Sequence, residues 1–342
     1  MGGQLPEGVL TNMDPDLPLF QALRAGDRAA LGRGITLIES EREGDVLRAR
    51  TLVERCLPHG GNSMRLGVTG IPGVGKSTLI DALGAWMIDQ DHRVAVLAID
   101  PSSTRTGGSI LGDKTRMERL AVNNAAFIRP SPSAGNLGGV ARNTREAIVL
   151  CEAAGYDRII VETVGTGQSE LDVDHLTDLN LLLLIAGAGD ELQGIKRGIM
   201  EVADVIAFTK AEGDARTRAE AARRDLRSAI SLLPARPSGR SAELLLTSAM
   251  SGEGIAELGA HIEALQAADR ASGYLEEHRR AQSLHWMDQT VLHGLHDLLK
   301  RDARLAKLIP VLREEVRAGS KSPFAAADEV LALFRTGGAP RP

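Results

Sequence analysis

Nine residues carry the plainest chemistry in this sequence. Gly70-Ile-Pro-Gly-Val-Gly-Lys76-Ser77-Thr78 fits the pattern G-x-x-x-x-G-K-[ST]. An apolar run, Met64-Arg-Leu-Gly-Val-Thr69, precedes it and reads as a strand, and Leu79 to Met87 follows with apolar residues at helical spacing. Strand, glycine loop and helix in that order bind a phosphate. Backbone N–H groups converge on the anion, the helix N-terminus adds partial positive charge, and a lysine reaches the terminal phosphates. Gly73, Val74, Gly75, Lys76, Ser77 and Thr78 are therefore the expected nucleotide contacts, with the Ser77 hydroxyl placed for Mg²⁺.

Three further groups belong to the same chemistry. Glu162-Thr-Val-Gly165 ends a predicted strand, so the carboxylate can reach a Mg²⁺ shell and Gly165 can offer its backbone to a γ-phosphate. Asp100 opens a polar stretch running to Arg116 that also contains Asp113. Beside a phosphate loop this stretch is a candidate switch, with both carboxylates candidate metal-shell residues. Thr209-Lys210-Ala211-Glu212 ends another predicted strand, where guanine-reading proteins usually carry N-K-x-D. Lys210 is kept, but Thr replaces Asn and Glu replaces Asp; a longer carboxylate makes the same paired bonds to guanine only if the backbone sits back slightly, with Asp214 as a fallback acceptor. Ser248 and Ala249 follow a sixth predicted strand, where a backbone N–H would meet the base.

The elements that position these residues alternate. Strands are predicted at 64–69, 94–99, 158–162, 179–185, 204–208 and 242–247, with a short extended piece at 127–129. Helices are predicted at 114–122, 140–154, 196–202 and 215–233. Such alternation implies an α/β fold with a doubly wound, mostly parallel sheet and ligands at the strands' carboxyl ends. One helix from Phe20, with Leu31, Ile35 and Ile38 on a face and Asp27 as a cap, and a second at 45–56 precede the sheet. After 267 only helices are expected: Leu284, Met287, Val291, Leu295 and Leu298 form an apolar face, and Ser322-Pro323 opens the last helix. The expected organisation is a disordered N-terminus 1–18, a helical extension 19–61, a nucleotide domain 62–266, a helical arm 267–335 and a disordered tail 336–342.

Bulk properties narrow the partners. The chain has 342 residues, a net charge of −5, and 43% apolar and 25% charged residues, ordinary for a soluble globular protein and unlike a broad basic nucleic-acid binder. Cys56 and Cys151 are too few and too separated for a disulfide framework or thiolate metal site. Met1 to Pro18 has no signal-peptide pattern, and the longest apolar run, Leu179 to Ala188, is too short to span a bilayer. No nucleic-acid partner, no membrane and a cytoplasmic location are expected. The eight histidines are scattered without metal-site spacing; His285, His293 and His296 read as surface or interface residues, Arg279-Arg280 as a solvated helix face, and Trp86 and Trp286 as core or interface anchors.

Longer strings carry a family resemblance. Asp100-Pro-Ser-Ser-Thr-Arg-Thr-Gly-Gly-Ser109 within a stretch from Val96 to Met117, Arg129-Pro-Ser-Pro-Ser133, Cys151-Glu-Ala-Ala-Gly155, Glu162-Thr-Val-Gly-Thr-Gly-Gln-Ser-Glu170 and Gly187-Ala-Gly-Asp-Glu-Leu-Gln-Gly-Ile-Lys196 resemble the MeaB/ArgK/methylmalonic-aciduria-type-A family of G proteins. The resemblance extends from about Phe20 to Leu333. It implies a SIMIBI-like P-loop NTPase that binds GTP or GDP with Mg²⁺ and hydrolyses GTP slowly. It also implies a chaperone for adenosylcobalamin-dependent mutases of the methylmalonyl-CoA mutase type, gating cofactor loading and protecting the mutase. A homodimer formed partly through the C-terminal arm goes with it. On this reading Lys76, Asp100 and Glu162 are catalytic, Ser77, Asp100, Asp113 and Glu162 form the metal environment, and Gln193 and Lys196 lie in a switch that couples nucleotide to partner. No residue matches the water-positioning glutamine of small GTPases, since Gln168 lies three residues beyond Gly165. Two rivals stand beside this reading: a small-molecule or protein kinase, after the family's transport-kinase label, and a nucleotide-dependent scaffold with negligible turnover.

Overall fold

The computed structural model describes residues 16–40, 42–100, 117–132, 137–163, 173–186, 197–232, 234 and 236–336. Seven parallel strands are present among them: β1 (Met64–Gly70), β2 (Val94–Asp100), β3 (Ala126–Pro132), β4 (Arg158–Thr163), β5 (Leu179–Ile185), β6 (Val205–Thr209) and β7 (Glu243–Leu246). They form one open sheet in the order β3-β2-β4-β1-β5-β6-β7. The chain builds outward from β1 to one side, then crosses to the other side of β1 for β5. The crevice at the carboxyl end of β1 is therefore the topological switch point, where open α/β sheets bind ligands.

Twelve helices accompany the sheet among the described residues: α1 (Leu17–Arg24), α2 (Arg28–Ile38), α3 (Glu43–Cys56), α4 (Lys76–Asp89), α5 (Glu118–Val122), α6 (Leu137–Ala153), α7 (Arg197–Val202), α8 (Ala215–Ile230), α9 (Ile255–Ser272), α10 (Tyr274–Arg301), α11 (Ala303–Arg317) and α12 (Pro323–Thr336). The strand β5, Leu-Asn-Leu-Leu-Leu-Leu-Ile, shows why both faces are covered. Leu181 and Leu183 pack in the core formed with α4, α5 and α9, whereas Leu182 and Leu184 pack with α7 and α8. Alternate side chains of a strand go to opposite faces, so a strand buried on both reads as an unbroken apolar run. Helix α6 covers β2 and β3, and α2 and α3 stack on α6.

Several boundaries differ from the sequence expectation. The first predicted helix is two, because Gly26 takes φ +82° and Asp27 then caps α2, accepting from the amides of Ala29 at 2.7 Å and Ala30 at 3.0 Å. Those two amides, Ala30 first, hold the Asp27 carboxyl below its ordinary pKa. Leu31, Ile35 and Ile38 are buried on one face of α2, as the spacing predicts. The short piece expected at 127–129 is a full strand, paired with β2 from Val94↔Ala126 to Asp100↔Pro132. Its Pro-Ser-Pro end hides it, yet proline is tolerated there because β3 is an edge strand. The helix expected from 114 is described from Glu118, and the one expected at 215–233 ends at Ile230.

Arg279 is not a solvated side chain. It donates to both carboxylate oxygens of Asp178 at 2.8 and 2.7 Å, to the Ser63 carbonyl at 2.7 Å and to the Gly61 carbonyl at 2.5 Å. Burial works against its charge, but the Asp178 hydrogen bonds and carboxylate outweigh that, and its pKa is raised. Glu152 joins the same cluster through Ser63, Gly61 and Arg65. The root of α10 is thus bonded to the amino ends of β1 and β5. Arg280 is exposed, as expected.

The chain forms two compact units, Met1–Gln282 and Ser283–Pro342. In the second, α11 packs on α12, and Leu305, Leu312 and Ala326 are buried. Ser322 caps α12, its hydroxyl accepting from Ala325 N at 3.1 Å. Leu284, Met287, Val291, Leu295 and Leu298 of α10 are 45–61% exposed.

Candidate functional site

The phosphate loop spans 71–75, between β1 and α4. Its shape rests on two backbone conformations that favour glycine, φ +80° at Gly73 and φ +101° at Gly75. Val74 is buried and anchors the loop from below, while Leu79, Ile80, Leu83 and Met87 fix α4 in the core. The first bond of the helix runs from Leu79 N to Gly75 O at 2.9 Å. Lys76 is buried, and its ammonium donates to the Gly70 and Ile71 carbonyls at 2.8 and 3.1 Å. Thr78, next on α4, is exposed.

Strand register brings the carboxylate to the loop. Glu162 pairs with Val68 of β1 on one side and Ala98 of β2 on the other. It is buried, and the Ser77 hydroxyl donates to its Oε1 at 3.1 Å. A hydroxyl and a carboxylate beside a phosphate loop are hard oxygen donors of the kind Mg²⁺ takes alongside phosphate and water, without a dedicated all-protein cage. The donor set therefore fits Mg²⁺. Asp100 ends β2 at the same edge of the sheet. Its side chain, together with Gly165, Asp113, Gln193 and Lys196, lies outside the described residues.

The residues that the sequence assigns to a base stand across the loop. Lys210 takes φ +55°, and its ammonium donates to the Gly73 carbonyl at 2.9 Å, laying its stem over the loop. Among the described residues, Oε2 of Glu212 is buried with no hydrogen-bond partner. That orphaned acceptor sits where the sequence places a guanine-reading carboxylate. Asp214, the fallback, is exposed and precedes α8 without a side-chain capping bond. The loop after β7 is tied to β6 by Thr247 N to Phe208 O at 2.8 Å and Ala211 N to Thr247 O at 3.1 Å. Ser248 is buried, with its N–H donated to Glu253 O at 2.9 Å. Among the described residues, the structure thus brings Gly73, Val74, Gly75, Lys76, Ser77, Glu162 and Lys210 together, with Glu212, Ser248 and Ala249 on the adjoining loops.

Two residues were not legible as contributors. Asp81, one turn beyond Ser77 on α4, caps α5 through Leu120 N at 3.0 Å and so anchors the chain just after 101–116. A buried Asp amid Leu79, Ile80 and Leu83 was the signal. Thr209 reads only as a missing asparagine, yet its hydroxyl contacts the phosphate loop at Val74 O, 2.6 Å away.

Comparison with known proteins agrees with this geometry. A family model described as methylmalonyl Co-A mutase-associated GTPase MeaB matches residues 31–304. A probable GTPase of Mycobacterium tuberculosis is 49% identical, covering 92% of this chain and 94% of its own. A mitochondrial methylmalonic aciduria type A homolog of Mus musculus is 43% identical over 93% of this chain and 79% of its own. A crystal structure described as a LAO/AO transport system kinase superposes with a TM-score of 0.75 at 35% identity, covering 95% of this chain and 99% of that one.

Proposed function

The chain belongs to the MeaB family of P-loop GTPases and is a GTP hydrolase, and from that premise we propose that it is a Mg²⁺-dependent G-protein chaperone for an adenosylcobalamin-dependent acyl-CoA mutase. It gates cofactor loading, protects the mutase, and works in the cytoplasm as a homodimer. The observation that carries the nucleotide half is the convergence of Lys76, the Ser77–Glu162 pair and the Lys210–Glu212 segment around one glycine loop. The family description supports the mutase half. Exposure of the α10 apolar stripe supports the dimer: a second copy would cover it, and Val291→Asp should then give a monomer by light scattering.

In this mechanism the loop amides and the α4 N-terminus hold the phosphates. Lys76 exchanges the Gly70 and Ile71 carbonyls for phosphate oxygens. Ser77 and Glu162, with Asp100 and Asp113, would hold Mg²⁺, which would supply charge neutralisation to the triphosphate. Glu212 accepts from the guanine edge, Lys210 packs on the base, and Ala249 offers the loop amide, since that of Ser248 is committed to Glu253 O. Because no residue matches the water-positioning glutamine of small GTPases by sequence position, slow intrinsic turnover that rises when the partner orders a group is expected, and Gln193 and Lys196 report the nucleotide state to that partner.

Pull-down from cell extract in GDP and in a non-hydrolysable GTP analogue tests both halves. Nucleotide-sensitive capture of an acyl-CoA mutase is expected, and Lys76→Ala should abolish that sensitivity. Capture indifferent to nucleotide would favour a scaffold. The relative described as a kinase keeps a second reading in view: labelled phosphoryl transfer from GTP to a candidate acceptor instead of water would establish it.

A further inference from the structure

We propose that Thr209 is a positioning residue for the phosphate loop, acting on its amides from the strand that ends in the base-reading segment. The proposal rests on the guanine-nucleotide reading above. In β6 the side chains alternate: Val205 and Ala207 face the core shared with α4, whereas Ile206 and Phe208 face α8. Thr209, two residues beyond Ala207, points toward α4 and the loop. It is buried, and its hydroxyl lies 2.6 Å from Val74 O and 3.1 Å from Leu184 O. A hydroxyl has one proton, and the shorter contact assigns it to Val74.

That bond has a directional consequence. Across a planar trans peptide the C=O and the following N–H point opposite ways, and no cis peptide occurs among the described residues. Holding the Val74 carbonyl toward β6 therefore turns the Gly75 N–H away from it, to the side from which the loop meets phosphate. Gly75, at φ +101°, has no side chain to restrain its own peptide planes. Lys210 fixes the preceding carbonyl, Gly73 O, in the same manner at 2.9 Å. Two successive residues of one strand end thus hold two successive carbonyls of the loop, and Glu212 follows two residues later. The threonine at this position bridges through a single donor.

The test compares Thr209→Val, which keeps the shape and removes the donor, with Thr209→Ser, which keeps the donor. GTP, GDP and ITP affinities are measured by calorimetry with Mg²⁺, alongside KM and kcat for GTP and the melting temperature without nucleotide. The valine variant should bind all three nucleotides about tenfold more weakly, the worth of one hydrogen bond, with a raised KM, and serine should restore wild-type binding. An equal loss for GTP and ITP excludes an effect routed through the guanine 2-amino group, and an equal loss for GDP excludes one confined to the γ-phosphate. If valine prevents folding, Thr209→Ala carries the same expectation. Wild-type GTP affinity in the valine variant, whatever its melting temperature, overturns the proposal, as does a serine variant as weak as valine. Failure of the unmutated chain to bind GTP would instead overturn the guanine-nucleotide reading, and this inference with it.

Discussion

Glu212 stands where an aspartate is usual in guanine-reading proteins, and its Oε2 is buried and unpartnered among the described residues. A buried acceptor without a donor costs about 1–3 kcal/mol, a cost that bound guanine would relieve through its N1 and N2 hydrogens. Glu212→Ala should therefore lower GTP affinity by about 10- to 100-fold, the range for hydrogen bonds to a charged group, and leave ATP affinity unchanged. Equal affinity for GTP and ATP in the unmutated chain would refute the assignment. Lys76, Ser77 and Glu162 were readable from spacing, because the phosphate loop and a strand-terminal carboxylate are local patterns. The contacts of Thr209 were not, since its partners Val74 and Leu184 are 135 and 25 residues away in the chain.

At the scale of elements, α4 is held by the loop at one end and by close packing along its side. Gly259 of α9 lies against Trp86 of α4, and a methyl group added there would come within 2.2 Å of the ring. Gly259→Ala should destabilise the protein by about 1–3 kcal/mol through overpacking, seen as a lower denaturation midpoint. In α11 the N-cap Asp302 is held down to a pKa of about 2, first by the Arg304 side chain and then by the Arg304 and Leu305 amides. A depressed carboxyl contributes stability that is present above its ordinary value of 3.8 and lost as pH falls through about 2. The melting-temperature gap between wild type and Asp302→Asn should be constant at neutral pH and close over that window. Strand and helix order was legible because β5 is a run buried on both faces and α4 has helical spacing. The full length of β3 was not, because edge pairing tolerates prolines that a propensity reading treats as breaks, and the α1–α2 break turned on one left-handed glycine.

Across the whole molecule, the sheet separates two kinds of chemistry. The phosphate loop, Glu162 and the Lys210–Glu212 segment gather at the carboxyl ends of the strands, and the Arg279–Asp178–Glu152 cluster ties the amino ends. Removing Arg279 leaves Asp178 buried without its paired cation, a change that typically costs about 3–5 kcal/mol when such a pair is fully buried. Arg279→Ala should lower the unfolding free energy by about 3 kcal/mol in chemical denaturation, yet leave GTP affinity untouched in the folded fraction.

The seven residues of β1 set the gap between those two ends at about 23 Å. A guanidinium that clasps two loop carbonyls and a carboxylate at the far edge makes the first turns of α10 a bracket on the amino ends of β1 and β5. On the proposed reading, a nucleotide-dependent change would have to cross that length along the strands or the helices beside them to reach the bracket. Variants that soften the bracket would then hydrolyse GTP normally while failing to pass the signal on, a phenotype that nucleotide assays alone would miss.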